Sequence, residues 1–308
     1  MRKKGLAVAV SCAGVLGAAA VGLGVYFSNR IMYMATKKED IILEREISAK
    51  RLIMNEYNSL PKEEVWIHSP NGYKIKTVFI HPHPAKRYVI FCHGVTENKM
   101  NSVKYMNLFL SKGFNAVIFD HRRHGESGGK TTSFGFYEKI DLKAVVDALL
   151  EREGKNVTFG IHGESMGAAT TLLYAGSLED RANFYIVDCP FSDFSEQLAH
   201  MFQKERELVP SSKLAIPLAN FFIKLRDGYT IQSVSPKEAV KHIEKPVLFI
   251  HSKDDNFIPA HMTETLYELK KGPKKLFIAE KGDHAQSYVE NKGKYSQCVD
   301  DFLEENDV

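Results

Sequence analysis

Beyond residue 61 the chain repeats one unit: a short apolar run, a polar loop, then a stretch with apolar residues at helical spacing. The runs fall at 88–91, 116–119, 157–161, 184–187, 246–250 and 275–279, the helical stretches at 100–110, 136–150, 166–174, 260–269 and 295–303. A strand with no polar alternation is buried on both faces, and strands joined through helices pair in parallel. The pattern predicts an α/β fold, a mostly parallel central sheet with helices on both faces. Two earlier strands, near 65–68 and 74–80, flank the hairpin dipeptide Asn71-Gly72. One stretch breaks the rhythm. The residues after 187 hold no clear strand but carry Phe191, Phe194, Leu198, Phe202, Phe221 and Phe222. They predict a small helical insertion at about 190–242, read either as packing helices or as a cap over a substrate site.

Charge divides the chain unevenly. The first 38 residues hold six of the 41 basic residues and none of the 38 acidic ones. The remainder is slightly acidic, which offers nucleic acid no electrostatic footing. Within the basic segment, residues 5–27 carry no charge, and at about 1.5 Å per residue that run exceeds a hydrocarbon core of about 30 Å. Residues 1–30 therefore read as a signal anchor. A cleaved signal peptide, using Ala18-Ala19-Ala20, and a lipoprotein signal at Cys12 are the alternatives. Arg2, Lys3 and Lys4 ahead of the run favour a single-pass cell-membrane protein with its globular part outside the cytoplasm. Thr36-Lys37-Lys38-Glu39 has the capping-box form, so 31–60 is expected as a helical connector, with one helix over 41–57. Residues 61–308 form the main domain. Cys92, Cys189 and Cys298 lack the spacing of a disulfide framework or a zinc site.

The stretch Gly163-Glu164-Ser165-Met166-Gly167 lies between a predicted strand and a predicted helix. A turn that sharp strains the serine backbone, holds its hydroxyl above the carboxyl ends of the strands, and leaves no room for side chains at 163 and 167. The amides opening the next helix suit a developing oxyanion. Serine needs a base, and the base an orienting acid. On this architecture the chain order is serine, acid, histidine. Asp254 and Asp255 both follow the strand at 246–250, with Asp193 as a fallback acid. Only His261 and His284 come later; His284 sits in a strand-end loop, His261 in the first turn of a helix.

Several motifs in order make residues 61–308 resemble the α/β-hydrolase family: His93-Gly94-Val95, Asp120-His121-Arg122-Arg123-His124-Gly125-Glu126-Ser127, the serine turn, Asp255-Asn256-Phe257-Ile258-Pro259, and Gly282-Asp283-His284-Ala285. The likeness is to membrane-anchored bacterial esterases and S9- or S33-type peptidase relatives. Arg123 and Ser252 stand where the family often has glycine. The resemblance implies Ser165 as nucleophile, His284 as base and Asp255 as its orienting acid, the register of the acid loop selecting Asp255 over Asp254. It further implies the backbone N–H groups of Val95 and Met166 as the oxyanion hole, and no cofactor or metal. The expected partner is a small ester or a short peptide. The expected function is a carboxylesterase-like serine hydrolase, with a serine peptidase or amidase as the alternative and a non-catalytic binding module as a third reading. Three other features are weighed against blander roles. His81-Pro82-His83 reads as a strand-end loop before a metal pair, His121 to His124 as a structural turn before a phosphate site, and Cys92 as a core residue before a nucleophile.

Overall fold

The computed structural model describes the backbone of residues 2–204 and 212–308 and the side chains of 17–204 and 213–308. The helices are α1 (Arg2–Met32), α2 (Glu39–Ser48), α3 (Met54–Ser59), α4 (Val103–Leu110), α5 (Glu138–Glu153), α6 (Met166–Ser177), α7 (Phe194–Lys204), α8 (Ser212–Asp227), α9 (Pro236–Ala239), α10 (Ala260–Leu269), α11 (Ser287–Glu290) and α12 (Lys292–Glu305). The strands are β1 (Lys62–His68), β2 (Lys74–Ile80), β3 (Arg87–Cys92), β4 (Asn115–Phe119), β5 (Thr158–Glu164), β6 (Phe184–Asp188), β7 (Val247–Ser252) and β8 (Lys274–Ala279). The chain divides into two compact units. One holds Met1–Met34 and Phe194–Ser233, the other Ala35–Asp193 and Val234–Val308.

The larger unit is built on one eight-stranded sheet in the order β1-β2-β4-β3-β5-β6-β7-β8. β2 runs antiparallel to both β1 and β4, and every other pairing is parallel. Alternate residues feed the two cores, as strand geometry requires. Tyr88, Ile90 and Cys92 of β3 pack with Leu142 and Val146 of α5 and Leu172 of α6, whereas Val89 and Phe91 pack with Met106 and Phe109 of α4 and Phe302 of α12. Burial of both faces explains why these strands have no polar alternation; only the edge strands β1 and β8 keep part of their surface. The order of connection reverses around β3, which pairs with β4 on one side and β5 on the other. Ligands bind outside the carboxyl ends of strands at such a switch point.

The connector differs from the single helix expected. α2 ends at Ser48, Lys50 takes φ +55°, and the amides of Arg51 and Leu52 turn back onto the Glu46 carbonyl. Leu52 is thereby buried, and α3 starts afresh. Nor does the capping box form: Lys38 is the N-cap and makes no side-chain cap bond, while Glu39 reaches Lys99 and Asn98 instead.

In the smaller unit α1 packs against α8, and the Phe27 ring meets Phe202 of α7 edge-on at 5.6 Å. Among the described residues no helix is long and apolar enough to cross a membrane. The side chains of residues 1–16, the first part of the expected anchor, lie outside the described ones.

Candidate active site

Ser165 sits between the end of β5 and the first turn of α6 with φ +57° and ψ −116°, a region that L-residues enter only when held there. Three contacts hold it. Its N–H donates to the Asp188 carbonyl at 2.8 Å. A Cβ on Gly163 would stand 2.4 Å from the Gly167 carbonyl oxygen, and one on Gly167 would stand 2.0 Å from that of Cys92. The two glycines thus let the elbow close onto α6 on one side and onto the end of β3 on the other.

His284 Nε2 lies 2.8 Å from Ser165 Oγ, and His284 Nδ1 lies 2.7 Å from Asp255 Oδ2. The other Asp255 oxygen accepts from the amides of Phe257 and Ile258, at 2.8 and 2.9 Å. His251 Nε2 stands 3.1 Å from Oδ2, and its ring is fixed by Thr263 Oγ1 and the Ile258 carbonyl. Burial pushes the Asp255 carboxyl up, but the bonds from His251 and His284 outweigh it and hold the group well below the usual carboxylate range. The acid is therefore ionised at neutral pH. The alternatives stand elsewhere. Asp254 and His261 are exposed. Asp193 accepts from Ser235 Oγ at 2.9 Å and faces Lys237.

The loop after β3 runs past the same serine. Gly94 lies against it, 3.5 Å from Ser165 Cβ if it carried a Cβ. Among the described residues, the N–H groups of Val95 and Met166 have no hydrogen-bond partner. The loop is held from outside. His93 Nδ1 donates to the Gly94 carbonyl at 2.8 Å, and its Nε2 accepts from the His121 amide at 2.9 Å. His124 Nε2 accepts the Thr96 amide at 3.2 Å. The Lys37 amide donates to the Thr96 carbonyl at 2.8 Å. Arg45 grips Glu97 with two bonds of 2.9 and 2.7 Å, and Lys37 Nζ also bonds Glu97. Burial lowers His93 and His124 to about 4 and holds His121 well below its ordinary value, so all three are neutral at pH 7, and the rings of His93 and His124 act as fixed donors and acceptors.

Beneath the elbow lies a polar layer that sequence reasoning missed. Glu164 is buried and accepts from Lys104 at 2.7 Å, Tyr105 at 2.8 Å and Asn101 at 2.8 Å. Burial opposes its charge, but Lys104 prevails and lowers it to about 2. Burial raises the neighbouring Asp188 to about 6; it accepts from Ser287 Oγ, which in turn accepts from Ser252 Oγ. Ser252, a departure from the family pattern, is thus part of this layer. Arg123, the other departure, takes φ +64°, a left-handed conformation in which glycine carries no penalty. Its turn is built around Asp120, which accepts from the Lys99 and Glu126 amides.

Cys189 Sγ lies within 4.8 Å of ligand atoms of Asp255 and His284, a spacing that would suit a metal ion. Burial raises the thiol well above its ordinary value, and the other two residues are already bonded to each other. Cys92 is buried at the end of β3, where burial raises it to about 12. His83 bonds the Leu110 carbonyl in the loop before β3, at the end of the sheet opposite Ser165.

Known proteins share this architecture. A family model described as Serine aminopeptidase, S33 matches residues 83–238, a span that includes Val95, Ser165 and Met166. Protein YqkD of Bacillus subtilis (strain 168), described as uncharacterized, is 50% identical over 292 residues, 94% of this chain and 95% of the relative. Lysophosphatidylserine lipase ABHD12 of Danio rerio is 26% identical over 194 residues, 61% of this chain and 48% of the relative. In fold, the chain is similar to the Pyrococcus furiosus esterase Pf2001, with a TM-score of 0.65 at 23% identity over 82% of this chain and 96% of that one. With its sheet, its serine elbow and these matches, the chain belongs to the α/β-hydrolase serine hydrolases, in the family described as Serine aminopeptidase, S33.

Proposed function

We propose that the protein is a membrane-anchored carboxylesterase that works through a Ser165–His284–Asp255 triad and an acyl-enzyme. The observation that carries this reading is the continuous line Ser165 Oγ–His284 Nε2 (2.8 Å) and His284 Nδ1–Asp255 Oδ2 (2.7 Å), with the serine on a strained elbow. Ser165 Oγ attacks the ester carbonyl carbon while His284 Nε2 takes its proton. Asp255 fixes the imidazole tautomer and stabilises the imidazolium that forms. The N–H groups of Val95 and Met166 receive the oxyanion, a contribution worth about 3 kcal/mol per donor in such sites. The intermediate then collapses, and His284 returns the proton to the leaving alcohol. Water, deprotonated by the same histidine, releases the acid and regenerates Ser165.

Ester chemistry draws support from the lipase named among the relatives, whereas the aminopeptidase description of the family keeps peptide or amide cleavage as the second reading. The uncharged run at 5–27, with Arg2, Lys3 and Lys4 before it, supports a membrane helix and a catalytic domain outside the cytoplasm. The test uses the purified full chain. A fluorophosphonate probe should label it, and Ser165→Ala should abolish that labelling; a fully labelled alanine variant rejects the nucleophile. Faster cleavage of an aminoacyl anilide than of p-nitrophenyl butyrate, by kcat/KM, transfers the assignment to the peptidase reading.

A further inference from the structure

α8 has apolar residues on two sides. One side buries Ala215, Ala219 and Ile223. Phe222 sets its ring over Gly24 of α1, where a Cβ would stand 2.3 Å from it, and Arg226 donates to Ser28 Oγ at 2.8 Å. The other side carries Leu214, Phe221 and Leu225, which are 52%, 62% and 69% exposed. Their spacings of seven and four residues put them in one stripe along the helix. On a helix bathed in water that stripe would be polar. Here Lys213 and Lys224 bracket ten residues without a charge. The one amide side chain among them, Asn220, is occupied by the Ile231 N–H at 2.7 Å.

The neighbouring surface of the same unit has the same character. Val21 and Tyr26 of α1 are 53% and 54% exposed, and Tyr33 just beyond it is 43% exposed. Among the described residues, half of the large apolar side chains left in the open belong to this small unit. Contiguous exposed apolar surface marks a docking site. An apolar stripe bracketed by lysines, beside aromatic side chains at a helix end, has the pattern of a helix lying in the headgroup region of a bilayer. The basic flanks, Lys213, Lys224 and Arg226, match anionic headgroups.

We propose that the exposed stripe of α8 lies in the lipid bilayer beside α1. The insertion between β6 and β7 is then a second, monotopic membrane contact, and the protein meets its membrane through two helices that pack on each other. This rests on the reading of α1 as a membrane helix.

The test is depth-resolved quenching in the full chain, carried in vesicles of phosphatidylethanolamine and phosphatidylglycerol. In a background with Cys12→Ser and Cys298→Ser, bimane is attached singly through Phe221→Cys, Leu225→Cys, Val21→Cys or Glu304→Cys. Fluorophosphonate labelling of Ser165 reports that each variant is folded. Labels at 221, 225 and 21 should lose emission to doxyl lipids and not to aqueous iodide, while the label at 304 responds to iodide alone. Lipid quenching at 21 without quenching at 221 and 225 overturns the proposal and leaves the anchor standing. In that case iodide access means a hydrated stripe, and shielding from both quenchers, with the unlabelled Phe221→Cys variant oxidising to disulfide-linked dimers, means a second copy. Failure of lipid quenching at 21 as well overturns the anchor and the proposal together.

Discussion

The loop that carries Asp255 and the loop that carries Val95 meet the same serine and are built in opposite ways. The first holds itself: every group that fixes Asp255, apart from His284, lies between His251 and Thr263. The second is held by residues from other parts of the chain, with Lys37 and Arg45 from the connector and His121 and His124 from the turn after β4. A side chain that must present one atom can be fixed locally. A backbone N–H that must point into a pocket has no handle of its own, so the loop around it is clamped.

The comparison breaks first at the acid. Asp255→Asn should lower kcat by about 10³- to 10⁴-fold, because the amide favours the wrong imidazole tautomer. Asp254→Asn, on an exposed residue, should leave turnover of p-nitrophenyl butyrate unchanged. The reverse ranking would mean that the local loop is not what orients His284.

Acid should act next, and on the clamped loop. His93 and His124, neutral in the fold at about 4, charge near 6.5 once unfolded, so the unfolded state binds more protons below that value. Their contribution is complete above pH 6.5 and is lost as pH falls toward 4, by up to about 3 kcal/mol for each. Asp188 and Asp141, raised to about 6, work in the opposite direction over part of that window. The histidines, joined by His121 and by His162 at about 3, outnumber them. Urea midpoints measured from pH 7 to pH 4 should fall; a flat profile would remove the histidines from the clamp.

Arg45 probes the same loop without touching the triad. Arg45→Met should cut kcat by about tenfold, near half the effect of deleting one oxyanion donor in free-energy terms, with KM little changed. The probe that labels Ser165 should still react. A fall in the fraction of protein labelled at Ser165 that matches the fall in kcat would make Arg45 a folding residue only. The smallest effect belongs to the turn behind the loop. Arg123→Gly should raise stability by about 1 kcal/mol or less, since the φ of +64° costs an arginine and not a glycine.

The same contrast explains what could be read from the sequence. The sheet was legible because burial on both faces forbids polar alternation, and Ala260–Leu269 matches the helix expected there to the residue. The serine turn and the loops carrying Asp255 and His284 stood out as patterns because each is spelled by neighbours within a few positions. The grip of Arg45 on Glu97 spans 52 residues and the Lys104–Glu164 pair spans 60, with no local signal to join them. A buried lysine among the apolar residues of α4 was the one clue, and it reads as a surface residue until the strand beneath is known. The connector was misread for the same reason, since the turn of Arg51 and Leu52 onto the Glu46 carbonyl places Leu52 in a core whose other members lie far along the chain.

One bond sets a minimum length for the working polypeptide. Because the Lys37 amide holds the Thr96 carbonyl, the hydrolytic machinery begins well upstream of β1. A protease that released the domain by cutting at Pro61 would leave Ser165, His284 and Asp255 intact while taking away Lys37, Arg45 and their hold on the loop. A cut before Ala35 would spare them. Under the proposed function, the position of the cut would decide whether the released domain stays competent or is disarmed.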